Sequence, residues 1–544
     1  MDIAVATAFE AIAERHLDYD CLVYRERRLT WREARARSRR LANALIGAGL
    51  GCRVERQHLA GHVSGQDHLG ICLRNSNEYL ESMIGALMAR AAPFNINYRF
   101  TAAEMRRLLV DTSPAALVIQ SDLTPLLAQC WADLPSAPLV LQVADDSGVG
   151  LMPGAVWYED VLAGAPAGRP AVTPSPDDLY ILCTGGTSGA PKAVLWRNGD
   201  ARVACFGGAE AASLGDVVAA ATAPGDPTRV LIAPPLAHGA AQWMSMSAWG
   251  RGGTVLLPWN QRQLDPDAVW RQIETERVTS LLVVGDAFAR PLVEQLDRDH
   301  YDLDSLNVVL SGGASLSPAV HDGFRRHLPW VVVVDGLGSS EAGGQLVTVA
   351  AGAAPRPGRF PLAPGNVVLS ADRTRVLSAV DGEIGWLART GRLALGYLGD
   401  ADLTARTFPT IDGVRYAVPG DRASHRGEQA VFVHGRDAST INTGGEKVFA
   451  EEVEAVLREH PAVYDCIVTS RPSQRWGQEV VGLVEWRADS SARASELLRF
   501  ARQRLAGFKV PKWIVVADAL PRNAMGKVEK ARLRADLASD DQRP

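Results

Sequence analysis

Residues 178–192 read DLYILCTGGTSGAPK. An apolar run, Leu179 to Cys183, opens directly into a loop of glycines and hydroxyls that ends in a lysine. A short β-rich run bounded by glycine has the signature of a strand. In open parallel sheets, ligands bind just beyond the carboxyl ends of the strands. The same arrangement recurs downstream. TRVLIAP (228–234) runs into PLAHG, and TSLLVVG (279–285) into DAF; LNVVLSGG (306–313) and WVVVVDGLGSSE (330–341) follow. Helical stretches lie between them, such as DPDAVWRQIETER (265–277), with Asp265 placed as N-cap and Pro266 as first helical residue. Alternation of this kind predicts parallel, doubly wound strands whose loops face one crevice, and the large domain is expected to be α/β with doubly wound mixed sheets.

Outward from this centre the texture varies. Residues 1–150 alternate helical patterns with short apolar runs, and EYLESMIGALMARAA (78–92) predicts a helix apolar on most faces, hence buried. Residues 145–177 are loop-rich. After about residue 360 short turn-separated segments (DGEIGW, ARTGRLALGYLG, DGVRYAVPGD, EQAVFVHGR) predict a β-barrel-like portion. GRDASTINTGGEK (435–447) is polar and loop-like, so it is placed as a boundary: residues 1–435 form a large domain and 436–544 a small α+β lid. Within the lid, EKVFAEEVEAVLREHPAV predicts an amphipathic helix stopped by Pro461, CIVTS and QEVVGLVEW predict strands, and SELLRFARQRL a second helix.

Composition narrows the function. The chain has 544 residues, 47% of them hydrophobic and 22% charged, with a formal net charge of -5. No long basic run is present, so nothing favours nucleic acid as a partner. No apolar stretch approaches the roughly 20 residues needed to span a bilayer. The opening residues lack the basic-then-apolar order of a signal peptide, and the seven cysteines form no CxxC pair. A cytoplasmic protein with reduced thiols and no structural zinc is expected. Only six of the 57 basic residues are lysines: 192, 447, 509, 512, 527 and 530. Arginine and lysine are interchangeable on a solvated surface but not where a compact point charge is needed. All six lie in or beside Gly/Pro-rich segments, which makes those segments the first candidates for chemistry.

In Thr184-Gly185-Gly186-Thr187-Ser188-Gly189-Ala190-Pro191-Lys192, glycines let backbone N–H groups approach an anion, hydroxyls donate further hydrogen bonds and lysine supplies charge. A glycine-rich surface turn would not need all of these together. The segment closely resembles the phosphate loop of the adenylate-forming superfamily, which comprises acyl-CoA synthetases, nonribosomal adenylation domains and luciferases. The resemblance extends over nearly the whole chain. PPLAHGAAQW (234–243) resembles the acyl-pocket motif, SGGASLS (311–317) the adenine-side loop, and DGLGSSE (335–341) the segment ending in the magnesium-binding glutamate. VPGDRA carries the matching ribose aspartate at 421, Gly435-Arg436 the domain junction, and LPRNAMGK (520–527) the C-terminal catalytic lysine. The wording of INTGGEKVFAEEVE (441–454) is similar to actinobacterial ligases acting on long-chain fatty acids and steroid side-chain acids. Four positions depart from the family's wording: Ala193, Leu337, Ser340 and Ala438 stand where glycine, tyrosine, threonine and an acid or lysine are usual.

The resemblance implies an acyl-CoA ligase using ATP, Mg²⁺ and coenzyme A on a small-molecule carboxylic acid. It implies roles for single residues as well. Lys527 and Glu341 are catalytic, and Glu341, helped by Thr184, holds Mg²⁺. Thr184, Gly185, Gly186, Thr187, Ser188, Gly189, Lys192, Gly313, Ala314, Asp335, Gly336, Leu337, Gly338, Ser339, Ser340, Asp421 and Arg436 surround ATP or AMP. His238, Trp243, Gly313 and Leu337 line the acyl pocket. Gly444, Gly445 and Lys447 meet coenzyme A, with Lys509 a further candidate, and Ala438 is the hinge. Small residues at 239–241 and 313 suggest an open tunnel and therefore a medium or long fatty acid, or a steroid-type acid, over acetate. A stand-alone enzyme loading a carrier protein in trans, a luciferase-like oxygenase and a non-catalytic nucleotide-binding relative are the alternatives. A homodimer is left open.

Overall fold

In the computed structural model of the chain, the described residues are 2–185, 191–223, 228–314, 316–350, 358–443, 446–473, 477–488, 490, 492–521 and 533. The strands expected from the sequence are present, in two mixed sheets as the fold class predicts. The first has eight strands in the order 343–350, 332–339, 308–312, 280–283, 229–232, 254–257, 20–24 and 27–30. Its six inner strands are parallel, and an antiparallel hairpin partner closes each edge. The second also has eight, in the order 396–397, 191–197, 179–185, 92–95, 68–72, 116–120, 139–143 and 156–157. Leu179–Gly185 belongs to this second sheet, where it turns back antiparallel onto Pro191–Arg197.

One core serves both sheets. Leu22, Val230 and Val255 of the first pack in the same cluster as Leu69, Val118 and Tyr180 of the second. Between them lies the Asn77–Met88 helix, every residue of which is buried. The Pro266–Glu276 helix begins as the sequence predicts: Ala268 N donates to the Asp265 side chain at 3.1 Å, and proline occupies the first position.

The barrel-like portion takes the form of a five-stranded antiparallel sheet ordered 359–361, 430–436, 421–425, 385–389 and 366–369. Beyond it, a single 3₁₀ turn, Asp437–Ser439, leads into the C-terminal sheet. That sheet is built from 446–449, 440–443, 477–486 and 463–473, with Trp513–Val516 parallel beside 477–486. The helix predicted from residue 446 starts later, at Ala450, because Glu446–Phe449 pairs as a strand with Thr440–Thr443. Four residues spaced to suit either structure are decided here by a hairpin partner. Among the described residues no helix is long and apolar enough to cross a membrane.

Candidate active site

The strand ends bring together residues far apart in sequence. Thr184 lies opposite Lys192 in the 179–185/191–197 hairpin, so the lysine sits on the strand leaving the loop. The next strand of that sheet, Gly396–Tyr397, pairs Tyr397 with Val194. Lys192 Nζ lies 5.6 Å from the centre of the Tyr397 ring. Tyr397 Oη in turn donates to Glu341 Oε1 at 2.6 Å. Glu341 follows directly on the Val332–Ser339 strand of the other sheet, across the cleft. Its carbonyl accepts from Ala394 N, and the Ser340 carbonyl accepts from Trp196 Nε1 at 2.7 Å. The glutamate is therefore fixed by backbone as well as by side chain.

Burial, then the negative charge of Glu341, holds the Tyr397 phenol well above its ordinary range, so it is a neutral donor at physiological pH. The sequence reading did not single out Tyr397. The available signal was a tyrosine between small residues in LALGYLG, a segment read only as a strand.

Asp421 and Arg436 face each other across paired strands, with Arg436 Nε 3.4 Å from Asp421 Oδ1. Asp421 is buried, and burial raises its carboxyl even against the adjacent guanidinium; the charge of Glu341 adds to the rise. The same arginine is raised, first by Asp421. Glu341, Tyr397, Asp421 and Arg436 thus form one electrostatic group. Gly435, just before Arg436, has φ +126°, a conformation open to glycine, and a Cβ there would strike the Glu451 carboxylate of the next helix.

Other predicted residues lie along the same edge with different surroundings. Gly313 has φ +91°, and a Cβ there would make ordinary contact with Val284 at 3.9 Å; Ala314 accepts through its carbonyl from Ser311 Oγ. Gly338 sits where a Cβ would meet the Gly343 carbonyl, which explains glycine at that bulge, and Gly336 pairs with Gly312. Ser339 Oγ accepts from Ala342 N. Leu337 packs toward the core of the five-stranded sheet. The Asp335 carboxylate accepts from His321 Nε2 at 2.9 Å and Leu316 N at 3.4 Å.

His238 is the buried N-cap residue of the Gly239–Gly250 helix, and Trp243 lies half-buried one turn along it. Lys509 is paired with Glu452, Nζ to carboxylate at 2.6 and 2.8 Å. Ala438 is the middle residue of the 3₁₀ turn, and Lys447 pairs through its backbone with Asn442. Gly186, Thr187, Ser188, Gly189, Gly444, Gly445 and Lys527 lie outside the described residues.

No three His, Cys, Asp or Glu side chains cluster as a metal cage among the described residues. A single carboxylate, Glu341, with the Thr184 hydroxyl at a strand end of the other sheet, fits a hard cation that keeps waters and phosphate oxygens as its other ligands, as Mg²⁺ does.

Two mixed sheets meeting at a glycine-rich edge, a five-stranded sheet behind them and a small α+β unit at the end make up the fold of an adenylate-forming enzyme. The chain belongs to the AMP-binding enzyme family. The family model matches residues 9–398, and the model of the AMP-binding enzyme C-terminal domain matches 452–527. It is 45% identical over 530 residues to the medium-chain acyl-CoA ligase Mig of Mycobacterium avium, covering 96% of each chain. It is 35% identical over 546 residues to a medium/long-chain-fatty-acid–CoA/3-oxocholest-4-en-26-oate–CoA ligase of Mycobacterium marinum, again covering 96% of each. In fold it is similar to the solved anthranilate CoA ligase AuaEII in complex with anthranoyl-AMP, with a TM-score of 0.81 and 18% identity over 99% of this chain and 98% of that one.

Proposed function

We propose that the chain is an AMP-forming acyl-CoA ligase for medium- or long-chain apolar acids, working as two units, 1–435 and 436–544, that turn about Ala438. The carboxylate oxygen of the acid attacks the α-phosphorus of ATP; the bond to the β-phosphate breaks and pyrophosphate leaves. The sulfur of coenzyme A then attacks the acyl carbon, AMP leaves, and the thiol proton passes to solvent.

The observation that carries this reading is the group Lys192–Tyr397–Glu341 set beside Asp421–Arg436 at one end of both sheets. A cation, a carboxylate and a buried aspartate grouped in this way support a site for a metal-bound nucleotide. Bound Mg²⁺ supplies charge neutralisation at the phosphates. Lys192 and the glycine loop cradle phosphate oxygens, Asp421 accepts ribose hydroxyls, and Lys527 draws carboxylate and phosphate together against their repulsion. Gly444, Gly445 and Lys447 line the path of coenzyme A, and His238, Trp243 and Gly313 the acyl pocket. The identities of the relatives' acids support the choice of substrate class.

The test supplies purified protein with ATP, Mg²⁺, coenzyme A and a panel of acids from acetate to long-chain and steroid acids, with and without oxygen. Matched release of AMP, pyrophosphate and acyl-CoA, independent of oxygen and greatest for longer acids, is expected. Acyl-AMP without thioester would reassign the acceptor to a carrier protein. Highest kcat/KM on acetate would overturn the substrate class.

A further inference from the structure

Tyr397 stands on a strand of two residues, Gly396–Tyr397. Residues 393–395, which lead into it, belong to no helix or strand, so individual contacts fix their place. On the N–H side, Ala394 donates to the Glu341 carbonyl at 3.2 Å and Leu395 to the Leu195 carbonyl at 2.7 Å. The first tie holds the residue that bears the cleft carboxylate, and the second holds the strand that carries Lys192. On the C=O side, both oxygens go to one side chain. Arg415 Nη1 donates to the Ala394 carbonyl at 2.9 Å and Arg415 Nη2 to the Leu395 carbonyl at 2.7 Å.

Arg415 reaches Tyr397 by a second route. Its guanidinium lies 4.5 Å from the centre of the Phe408 ring, and that ring lies 6.2 Å from the ring of Tyr397. Phe408 and Tyr397 are both buried. Two residues on from Arg415, Ala417 exchanges both backbone hydrogen bonds with Arg389, in the segment that runs on to Asp421. One side chain thus joins the stretches that carry Lys192, Glu341, Tyr397 and Asp421. No carboxylate pairs with it among the described residues, and burial holds its guanidinium below the usual range. A half-buried cation without a counter-charge is a cost to the fold. A planar fork that spans two carbonyls while stacking on a ring is something lysine cannot supply.

We propose that Arg415 is a positioning residue for acyl-AMP formation: it holds Tyr397 where the phenol meets Glu341, and so sets how tightly the site takes a metal-bound nucleotide. The inference rests on the reading of Glu341 as the metal-holding carboxylate. It adds to that reading a residue that acts only through Tyr397, by backbone on one side and by the Phe408 ring on the other.

The experiment measures binding rather than turnover. Calorimetry gives the affinity of the protein for α,β-methylene-ATP, whose α–β linkage cannot be cleaved, once with Mg²⁺ and once with EDTA. The ratio of the two dissociation constants is the gain due to metal, and a general loss of nucleotide binding cancels in it. Arg415→Met should lower that gain by roughly tenfold, the scale of the one hydrogen bond to a charged group that it frees. Arg415→Lys, which keeps the charge without the fork, should lower it less. In a Tyr397→Phe background, where the hydroxyl is already gone, Arg415→Met should lower it by less than about a further twofold. Phe408→Leu, which cuts only the ring route, should follow the same pattern, and it carries the test if Arg415→Met does not fold. A gain unmoved by these variants, or lowered equally with and without the Tyr397 hydroxyl, overturns the proposal and leaves Arg415 as a tether of the 394–395 backbone. A gain unmoved by Glu341→Gln would instead overturn the reading of the metal site beneath it.

Discussion

The Tyr397 hydroxyl donates to Glu341 across the gap between the two large sheets, at 2.6 Å. One carboxylate oxygen is thereby held by a neutral phenol. Removing the hydroxyl leaves the charge of Glu341 in place but frees its orientation. Tyr397→Phe is expected to raise the Mg²⁺ concentration for half-maximal activity by roughly tenfold, the scale of one hydrogen bond to a charged group. Glu341→Gln should raise it further. A magnesium titration identical to wild type in Tyr397→Phe would show that the phenol only fills space.

Lys527 is proposed to serve the first half-reaction alone. Lys527→Ala should slow acyl-AMP formation by several orders of magnitude, on the scale of a lost transition-state charge stabiliser, about 3–4 kcal/mol. Supplied with preformed acyl-AMP and coenzyme A, the variant should still form thioester. Equal loss in both assays would remove the assignment.

Ala438 lies in the single 3₁₀ turn between the five-stranded sheet and the C-terminal sheet. A pivot works by large φ/ψ changes at one or two residues, and proline fixes φ near −65°. Ala438→Pro is expected to leave one half-reaction near normal and impair the other. Pyrophosphate release and acyl-AMP-to-thioester conversion, assayed separately, decide it; wild-type rates in both would move the pivot to another residue.

His434 gives a pH prediction. It is buried between Phe432 and Phe449, with Nε2 2.9 Å from Ser424 Oγ. Burial first, then the charges of Arg426, Lys509 and Arg422, lowers it from 6.5 to about 4. The fold therefore prefers the neutral ring. Above 6.5 neither state is protonated. As pH falls from 6.5 towards about 4 the unfolded chain takes up a proton that the folded one resists, so stability falls across that window and no further below it, by at most about 3 kcal/mol. In denaturant titrations His434→Gln should lose less stability than wild type over this range. Parallel curves would mean the ring titrates normally.

Much of this was legible in the sequence because it is local. Asp265 and Pro266 start a helix by rules that need no neighbours, and residues 78–92, apolar on most faces, predict a buried helix, found at Asn77–Met88. What resisted reading was set by partners distant in sequence. The assignment of Leu179–Gly185 to the second sheet depends on which strand it meets after the loop, and residues 446–449 become a strand because Thr440–Thr443 lies beside them. That His321 holds the Asp335 carboxylate is likewise visible only in the fold. Tyr397 was invisible for the same reason: its chemistry comes from Glu341, 56 residues earlier. Residues 61 and 62 pack against this same segment. The His62 carbonyl accepts from Gly399 N at 2.8 Å, and a Cβ on Gly61 would meet the Leu395 carbonyl.

The contact between Arg436 and Asp421 bears on any attempt to block this protein. If Asp421 is the ribose acceptor as proposed, it is occupied by the chain's own guanidinium before a nucleotide arrives. An adenosine mimic must displace that arginine, and its measured affinity is the net of the two contacts. A compound that also offers the displaced guanidinium an anion recovers what the exchange costs. Analogues with a sulfamate or phosphate mimic within reach of Arg436 should therefore outcompete those built on the nucleoside alone.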